Sequence, residues 1–532
     1  MAVKASSEKC GLWMSPNPEA SQGKPRVAVV GAGWAGLTAS FTLKRTGCHV
    51  EVFEQSSVLG GRARKAVIPR RGITLDNGQH LMLGAYHHVL ELMQQVGMDL
   101  SETLLRIPLQ LHSLDDQIRL QVNASHPASL RLPLALLRMQ GFNARHKLQL
   151  ILALLRLKLA GWKVSPQTTV LQWLQQQRQH ALLVQRFWEP LCVATLNTPI
   201  EAASMTLFSR VLKDSLAARP EDSDLIFPRV DLSALWPEAL LSQLTIHTNT
   251  PVRGITRTQS GYQLQTASES AAEQYDAVIL ATPPLVCHRL LKSLQHSSQQ
   301  SSVVAATSQA AEKTPRPVVQ IQDEDASALL QQLATFQYHA IATLTLFLEA
   351  PFPLPKYMYL LREDRQRGHD GQWLFNRSRF MQAEQKRYFA SPSSLSTSAF
   401  STSTPKVTDT SDAPMQAVSV APPDTHAEHS IAVVISHADH LAGKDRDTIA
   451  LAILAQIQDQ LPAGVSMPAM LSYELILEKR ATFAATPQLQ RPGNETPWPG
   501  LYLAGDWTNT GYPGVLEGAV MSGLSAARAL HA

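Results

Sequence analysis

The chain has 532 residues, of which 44% are hydrophobic and 17% charged, and its formal net charge is +4. The length allows two or three domains of globular composition, and four scattered cysteines (Cys10, Cys48, Cys192 and Cys287) without Cys-x-x-Cys or Cys/His spacing exclude a disulfide framework and a recognisable metal site. The charge is uneven: Gln117–Trp188 holds ten Lys or Arg and no Asp or Glu, leaving 37 basic against 43 acidic residues elsewhere, which points to an anionic surface as partner.

In chain order, Met1–Lys24 reads as a disordered lead-in, polar and without the apolar core of a secretory signal. Ala2 stands where N-myristoylation needs glycine, and the cysteine usage fits a reducing, cytoplasmic setting. Arg26–Val30 (RVAVV) is a short β-branched run, a buried strand. Helical periodicity begins after Gly31, and His49–Glu54 (HVEVFE) is a second strand, completing a βαβ unit. Helix-rich sequence follows around 125–220. Leu244–Asn249, Pro251–Thr256, Gly261–Thr266 and Tyr275–Leu280 read as strands, 445–460 as helical, Leu501–Leu503 as a strand and Gly514–Leu530 as a closing helix. Leu294–Pro317, rich in Ser, Gln and Ala, and Ser391–Asp412, with 13 Ser/Thr in 22 residues, cannot bury enough apolar surface to offset ordering entropy. The expected fold class is therefore α/β. A Rossmann-type nucleotide-binding domain is built from discontinuous segments (25–110, 241–293 and 491–532), and an inserted α+β substrate domain occupies 111–240, 319–390 and 429–490. The remaining stretches, 294–318 and 391–428, are read as disordered insertions.

Gly31-Ala32-Gly33-Trp34-Ala35-Gly36 is G-x-G-x-x-G between a strand and a helix. Gly31 allows the tight turn, Gly33 the approach of a pyrophosphate, and Gly36 close packing of helix on strand; the helix N-terminus offers free N–H groups to phosphates. Glu54, 18 residues after Gly36, is placed to accept hydrogen bonds from ribose hydroxyls and disfavours a 2′-phosphate. The choice of dinucleotide rests on a resemblance. Gly60-Gly61-Arg62, Thr250-Pro251-Val252, Ala504-Gly505-Asp506 and Glu517-Gly518-Ala519-Val520 occur in the order of the motifs of the amine-oxidase-like flavoproteins, and the chain resembles that group. The resemblance implies a two-dinucleotide-binding fold with FAD. Arg62 would approach the pyrophosphate, the Val252 backbone the adenine, and Gly505 and Asp506 the ribityl or pyrophosphate region. The helix starting at Leu516, Glu517 and Gly518 would face the flavin N1–C2=O edge, where its dipole stabilises negative charge by about 0.3–1 kcal/mol. Arg491–Trp498 contains no Cys, so non-covalent attachment is expected.

Asp76–Tyr86, Pro190–Pro199 and Gly505–Ala519 narrow the resemblance to the hydroxysqualene dehydroxylases of bacterial hopanoid pathways, over roughly 25–290 and 330–530. That family implies reductive removal of an allylic hydroxyl, giving squalene and water. Hydroxide leaves poorly, so an acid must protonate it; an allylic cation needs a dry pocket with π-faces; hydride from reduced flavin needs the carbon about 3–3.5 Å away. Asp76 and His80 are the candidate acids, with a turn cap and a structural hydrogen bonder as the competing readings. Tyr86, Asn197, Trp507 and Tyr512 are candidate pocket residues, or packing and turn residues; Tyr512 stands where the family suggests a smaller or aliphatic side chain. Cys192 reads as a small buried hydrophobe. His87 and His88 give no metal site, because no carboxylate or Cys partner completes a set. Alternatives are a carotenoid- or phytoene-type desaturase or isomerase, an amine oxidase, and a non-enzymatic flavin-containing scaffold for isoprenoid enzymes. No second dinucleotide motif is visible, so NAD(P)H would bind transiently or a partner protein would reduce the flavin.

Arg145–Lys163 (RHKLQLILALLRLKLAGWK) is helical and apolar, but its longest unbroken apolar run, Leu150–Leu155, is far short of a bilayer span. It is either a core helix with snorkelling lysines or, with the rest of 131–163, a peripheral contact that draws a C30 isoprenoid alcohol from the anionic cytoplasmic membrane. The missing acids favour the membrane. An upstream squalene-pathway enzyme is a candidate protein partner, and nucleic acid is not expected because no recognition module accompanies the charge.

Overall fold

The computed structural model describes residues 23–216, 219–267, 273–294, 323–381 and 429–531. Apart from Gly23, Lys24 and Leu294, the lead-in and the two low-complexity stretches lie outside the described residues. β1 (Arg26–Val30), α1 (Trp34–Arg45) and β2 (His49–Phe53) form the expected βαβ unit. β1 is buried along both faces after its first residue, as a parallel sheet covered on two sides requires. After α2 (His87–Val96) the chain enters a largely helical region with α3 (Ala128–Arg138), α4 (Ala144–Leu159), α5 (Glu189–Leu196) and α6 (Met205–Leu216). It returns through β3 (Thr245–His247) and β4 (Ala277–Leu280). A second excursion contains β5 (Tyr338–Leu348), β6 (Met358–Leu360), β7 (Trp373–Phe375), β8 (Ser430–Ser436), α7 (Arg446–Asp459) and β9 (Met470–Phe483). β10 (Leu501–Leu503) and α8 (Leu516–Ala529) close the chain.

The first sheet is wholly parallel, in the order β3-β2-β1-β4-β10, so it gathers strands from the start, middle and end of the sequence. α8 lies directly on α1. A Cβ at Gly523 would come within 2.3 Å of the Ala35 carbonyl oxygen, so the glycine permits that contact. The second sheet is antiparallel, in the order β6-β7-β8-β5-β9.

Two sequence expectations shift. The expected strand Tyr275–Leu280 divides at Asp276, whose N–H donates to Arg26 O while its carboxylate accepts the Arg26 N–H at 2.7 Å. Gln274–Tyr275 then pairs with the hairpin Gly254–Thr258/Gly261–Gln265, and β4 joins the parallel sheet. α4 stops at Leu159 rather than Lys163, because Gly161 and Trp162 take left-handed φ of 65° and 63°.

Candidate active site

The glycine loop sits at the end of β1. Gly31 has φ 107°, and a Cβ there would lie 2.6 Å from the Ala281 carbonyl oxygen. At Gly36 the clash would be worse, 2.0 Å from Gly31 O, so this glycine presses α1 onto the turn. Gly33 differs: the nearest atom to an added Cβ is Gly61 Cα at 3.9 Å, and the space it leaves belongs to a cavity. Gly33 bridges to Gly60, which brings Gly60-Gly61-Arg62 alongside the loop. Glu54 is 7% exposed and accepts from Ala32 N at 2.7 Å and Ser56 N at 2.8 Å, each through a different oxygen. Each oxygen keeps a lone pair for a further donor.

The cavity, about 880 Å³, is lined by Gly31, Gly33, Glu54, Gly60, Gly61, Arg62, Val252, Gly505, Asp506 and Leu516. Arg62 Nη2 meets Asp506 Oδ1 at 2.5 Å and Nη1 donates to Ala481 O at 2.8 Å. Burial works against the Arg62 charge, but the Asp506 carboxylate outweighs it and the pKa is raised. No side chain caps the N-terminus of α8, which leaves N–H groups and the positive dipole end for an anionic partner. A loop whose open side a Cβ at Gly33 would begin to fill, an acid with spare lone pairs and an anchored cation together fit FAD.

Five predicted residues, Gly36, Asp76, Tyr512, Glu517 and Gly518, do not line this cavity. Glu517, 1% exposed, turns to α2 and accepts from His88 N at 3.0 Å, Val89 N at 3.0 Å and His88 Nδ1 at 2.7 Å. It satisfies the first N–H groups of α2, so its charge is used in packing. Gly518 lies against Pro513 O, 3.3 Å from an added Cβ. Tyr512 clamps α6: its hydroxyl bonds Asp214, and the Arg210 guanidinium sits 4.8 Å from its ring centroid.

Of the candidate acids, Asp76 is also off the cavity wall. It accepts from Leu232 N at 2.9 Å and faces Arg377 at 3.8 Å, both side chains being almost wholly buried. Burial pushes its carboxyl up to about 6 despite Arg377. Arg377 also donates to Gln79 Oε1 at 2.9 Å, so the pair holds the 77–80 loop from beneath. His80 does line the cavity. Its Nδ1 is 2.8 Å from Gly78 O, which makes Nδ1 the donor and leaves Nε2 free, and burial lowers its pKa. Tyr86, Asn197 and Trp507 line the cavity. Trp507 Nε1 donates to Thr282 O at 3.1 Å. Asn197 ends α5 with φ 47°, accepts from His437 N at 2.7 Å and donates to Thr482 Oγ1 at 3.0 Å. Cys192 is fully buried and its thiol pKa is raised by burial. His87 and His88 do have acid partners, from distant segments: Asp222 at 3.1 Å and Glu517 at 2.7 Å, one for each ring.

Two residues escaped the sequence reading. Glu478 on β9 lines the cavity and accepts from Asn77 Nδ2 at 3.2 Å. Arg491 is caged by the carbonyls of Asp506, Trp507, Thr508 and Tyr512 and shapes the late loop. Burial lowers its pKa to about 10. Neither carries a motif; their partners come from the tertiary fold.

The description of the flavin containing amine oxidoreductases matches residues 34–531. The chain belongs to the flavin-containing amine oxidoreductase family. FAD is therefore the cofactor of this family member. Two relatives are the hydroxysqualene dehydroxylases of Rhodopseudomonas palustris, 27% identical, and Zymomonas mobilis, 23% identical; each alignment covers 94% of this chain and 97% of the relative. A zeta-carotene desaturase of Solanum lycopersicum is 34% identical over 15% of this chain and 14% of its own. Among solved structures, an oxidoreductase from Methanosarcina mazei (TM-score 0.60, 16% identity, 94% of this chain and 100% of that one) shares the fold. So does cyclohexylamine oxidase from Brevibacterium oxydans (0.59, 14%, 96% and 99%).

In this flavoprotein the cavity that holds the cofactor cradle also has an apolar wall. Leu132 and Leu136 from α3, Leu154 from α4, Phe187, Leu191 and Phe375 are part of its wall. The titratable groups His80 and Glu478 stand on the lining of the same cavity as these apolar side chains.

Proposed function

We propose that this flavoprotein is a hydroxysqualene dehydroxylase, converting a C30 allylic alcohol to squalene and water. The observation that carries the reading is similarity to proteins of that name along 94% of the chain, against 15% for the carotene desaturase. The leucine-rich wall of the cavity suits a long isoprenoid. FAD, when bound and reduced, supplies the hydride. His80 protonates the hydroxyl through Nε2, so the C–O bond breaks with water leaving, while Nδ1–H to Gly78 O holds the ring in place. Burial makes protonated His80 a stronger acid than free imidazolium. Trp507 presents a π-face to the allylic cation. Asp76 positions the 77–80 loop and does not touch substrate.

The reading extends to the membrane. Leu148, Leu152, Leu155 and Leu159 form one outward stripe of α4, 57%, 37%, 46% and 78% exposed, while Leu150, Ala153 and Leu157 on the opposite face are buried. At 100° per residue, Arg145 and Arg156 flank the stripe on one side and Lys147 and Lys158 on the other. α3 adds exposed Leu130 and Leu137. An apolar centre between basic margins matches an anionic bilayer surface, and no helix among the described residues is long and apolar enough to cross one. On this reading the protein lies peripherally on the cytoplasmic membrane, where an upstream squalene-pathway enzyme would deliver the alcohol.

The test is anaerobic. The yellow protein is reduced with dithionite and given hydroxysqualene. Flavin reoxidation with stoichiometric squalene is expected. Reduced flavin that stays unchanged in folded protein overturns the reading and favours an oxidative lipid substrate.

A further inference from the structure

We propose that His339, His437 and Asp439 form a binding site for a divalent transition-metal ion of the zinc class, separate from the flavin cavity and independent of the dehydroxylase reading. One ligand atom from each of the three lies within 4.8 Å of the others, the one such trio among the described residues. His339 Nδ1 is 3.0 Å and His437 Nε2 3.9 Å from Asp439 Oδ2. Metal–ligand bonds of about 2.0–2.2 Å place tetrahedral donors about 3.4 Å apart, so these separations bracket what an ion between them needs. The ligands are two imidazoles and one carboxylate, and a fourth position is left for water, the donor set of open zinc sites.

The groups behind the ligands are also in place. Asp439 Oδ1 accepts from Ala340 N at 3.1 Å, which orients the carboxylate. Asn197 ties the two histidine-bearing segments together: Oδ1 accepts from His437 N at 2.7 Å and Nδ2 donates to His339 O at 3.3 Å. Such supports fix the direction of metal-binding side chains. His437 itself holds a left-handed φ of 49°, a conformation that persists where the surroundings impose it. His440 and Arg365 also face His437, and His440 is paired with Asp370 at 3.1 Å.

The ion would join the start of β5 to the turn after β8. Asn197 and Ser436, which adjoin that link, both line the cavity. Occupancy therefore stiffens one part of the cavity wall without supplying a group to the reaction.

The experiment uses full-length flavin-loaded protein stripped with a chelator and titrated with cobalt(II), then zinc(II). A visible ligand-field band saturating at one equivalent is expected, with zinc displacing cobalt and raising the thermal midpoint. His339→Gln and Asp439→Asn should each lose the band and weaken binding at least about tenfold, with flavin content and metal-free melting unchanged. Should one variant fail to hold flavin, the other decides. No band in the unmodified protein, or equal binding by the variants, overturns the site and leaves a histidine–aspartate ion pair.

Discussion

The parallel and antiparallel sheets both bury apolar strands, yet they build their parts of the cavity in different ways. The parallel sheet contributes mainly backbone: its strands are three to five residues long, and glycines stand at their ends together with the carboxylates Glu54 and Asp506. The antiparallel sheet, with strands of 11 and 14 residues, contributes side chains, among them Trp373, Phe375, Glu478 and Thr482. A backbone cradle demands particular residue types at fixed spacing, because a Cβ in the wrong place collides. A side-chain wall demands only shape and polarity, which many sequences satisfy.

Substitutions in the two regions should therefore fail differently. The largest effect is expected within the cradle. Gly36→Val puts carbon 2.0 Å from Gly31 O and should abolish soluble folded protein. Gly33→Trp meets open space and should fold but purify colourless; a yellow Gly33→Trp protein would show that the loop does not approach FAD. Next is Asp76→Ala, which strands Arg377 in the interior. Loss of about 3–5 kcal/mol is expected in chemical denaturation, and a loss under 1 kcal/mol would mean that water reaches the pair.

At the side-chain wall, His80→Gln should leave the melting temperature nearly unchanged and slow turnover by about 10²–10⁴-fold. The lowered His80 pKa sets the sign of the pH dependence. The protonated fraction falls as pH rises through that pKa, so turnover in the unmodified enzyme should increase from neutral pH toward acid, and His80→Gln should flatten the profile. A steep profile retained in the variant would assign the acid elsewhere, Glu478 being the next group on the wall. The smallest effect on stability is expected outside the cavity. Leu155→Glu on the exposed stripe of α4 should change stability by no more than about 0.5 kcal/mol while abolishing flotation with anionic liposomes. Unchanged flotation would remove α4 from the membrane contact.

Much of the flavin cradle is legible in the amino-acid sequence. The glycine loop, Glu54, Gly60-Gly61-Arg62, Gly505-Asp506 and the closing helix are local patterns, and all contribute to one cavity. The long strands of the second sheet are not. Leu344–Leu348 within β5 is an apolar-rich run that periodicity alone does not separate from helix, and β9 carries Glu478, Lys479 and Arg480 within its length.

The amino-acid sequence by itself determined the dinucleotide fold and its cofactor loop, because those depend on backbone geometry that only glycine tolerates and on a carboxylate at set distance from it. Only the tertiary structure decided where the remaining charges and rings point. Glu517 caps a helix more than 400 residues away in sequence, Tyr512 holds Asp214, Asp76 sits beneath its loop beside Arg377, and α4 turns leucines outward. Each of these depends on which distant segment packs alongside, and the spacing of residues along the chain does not carry that information.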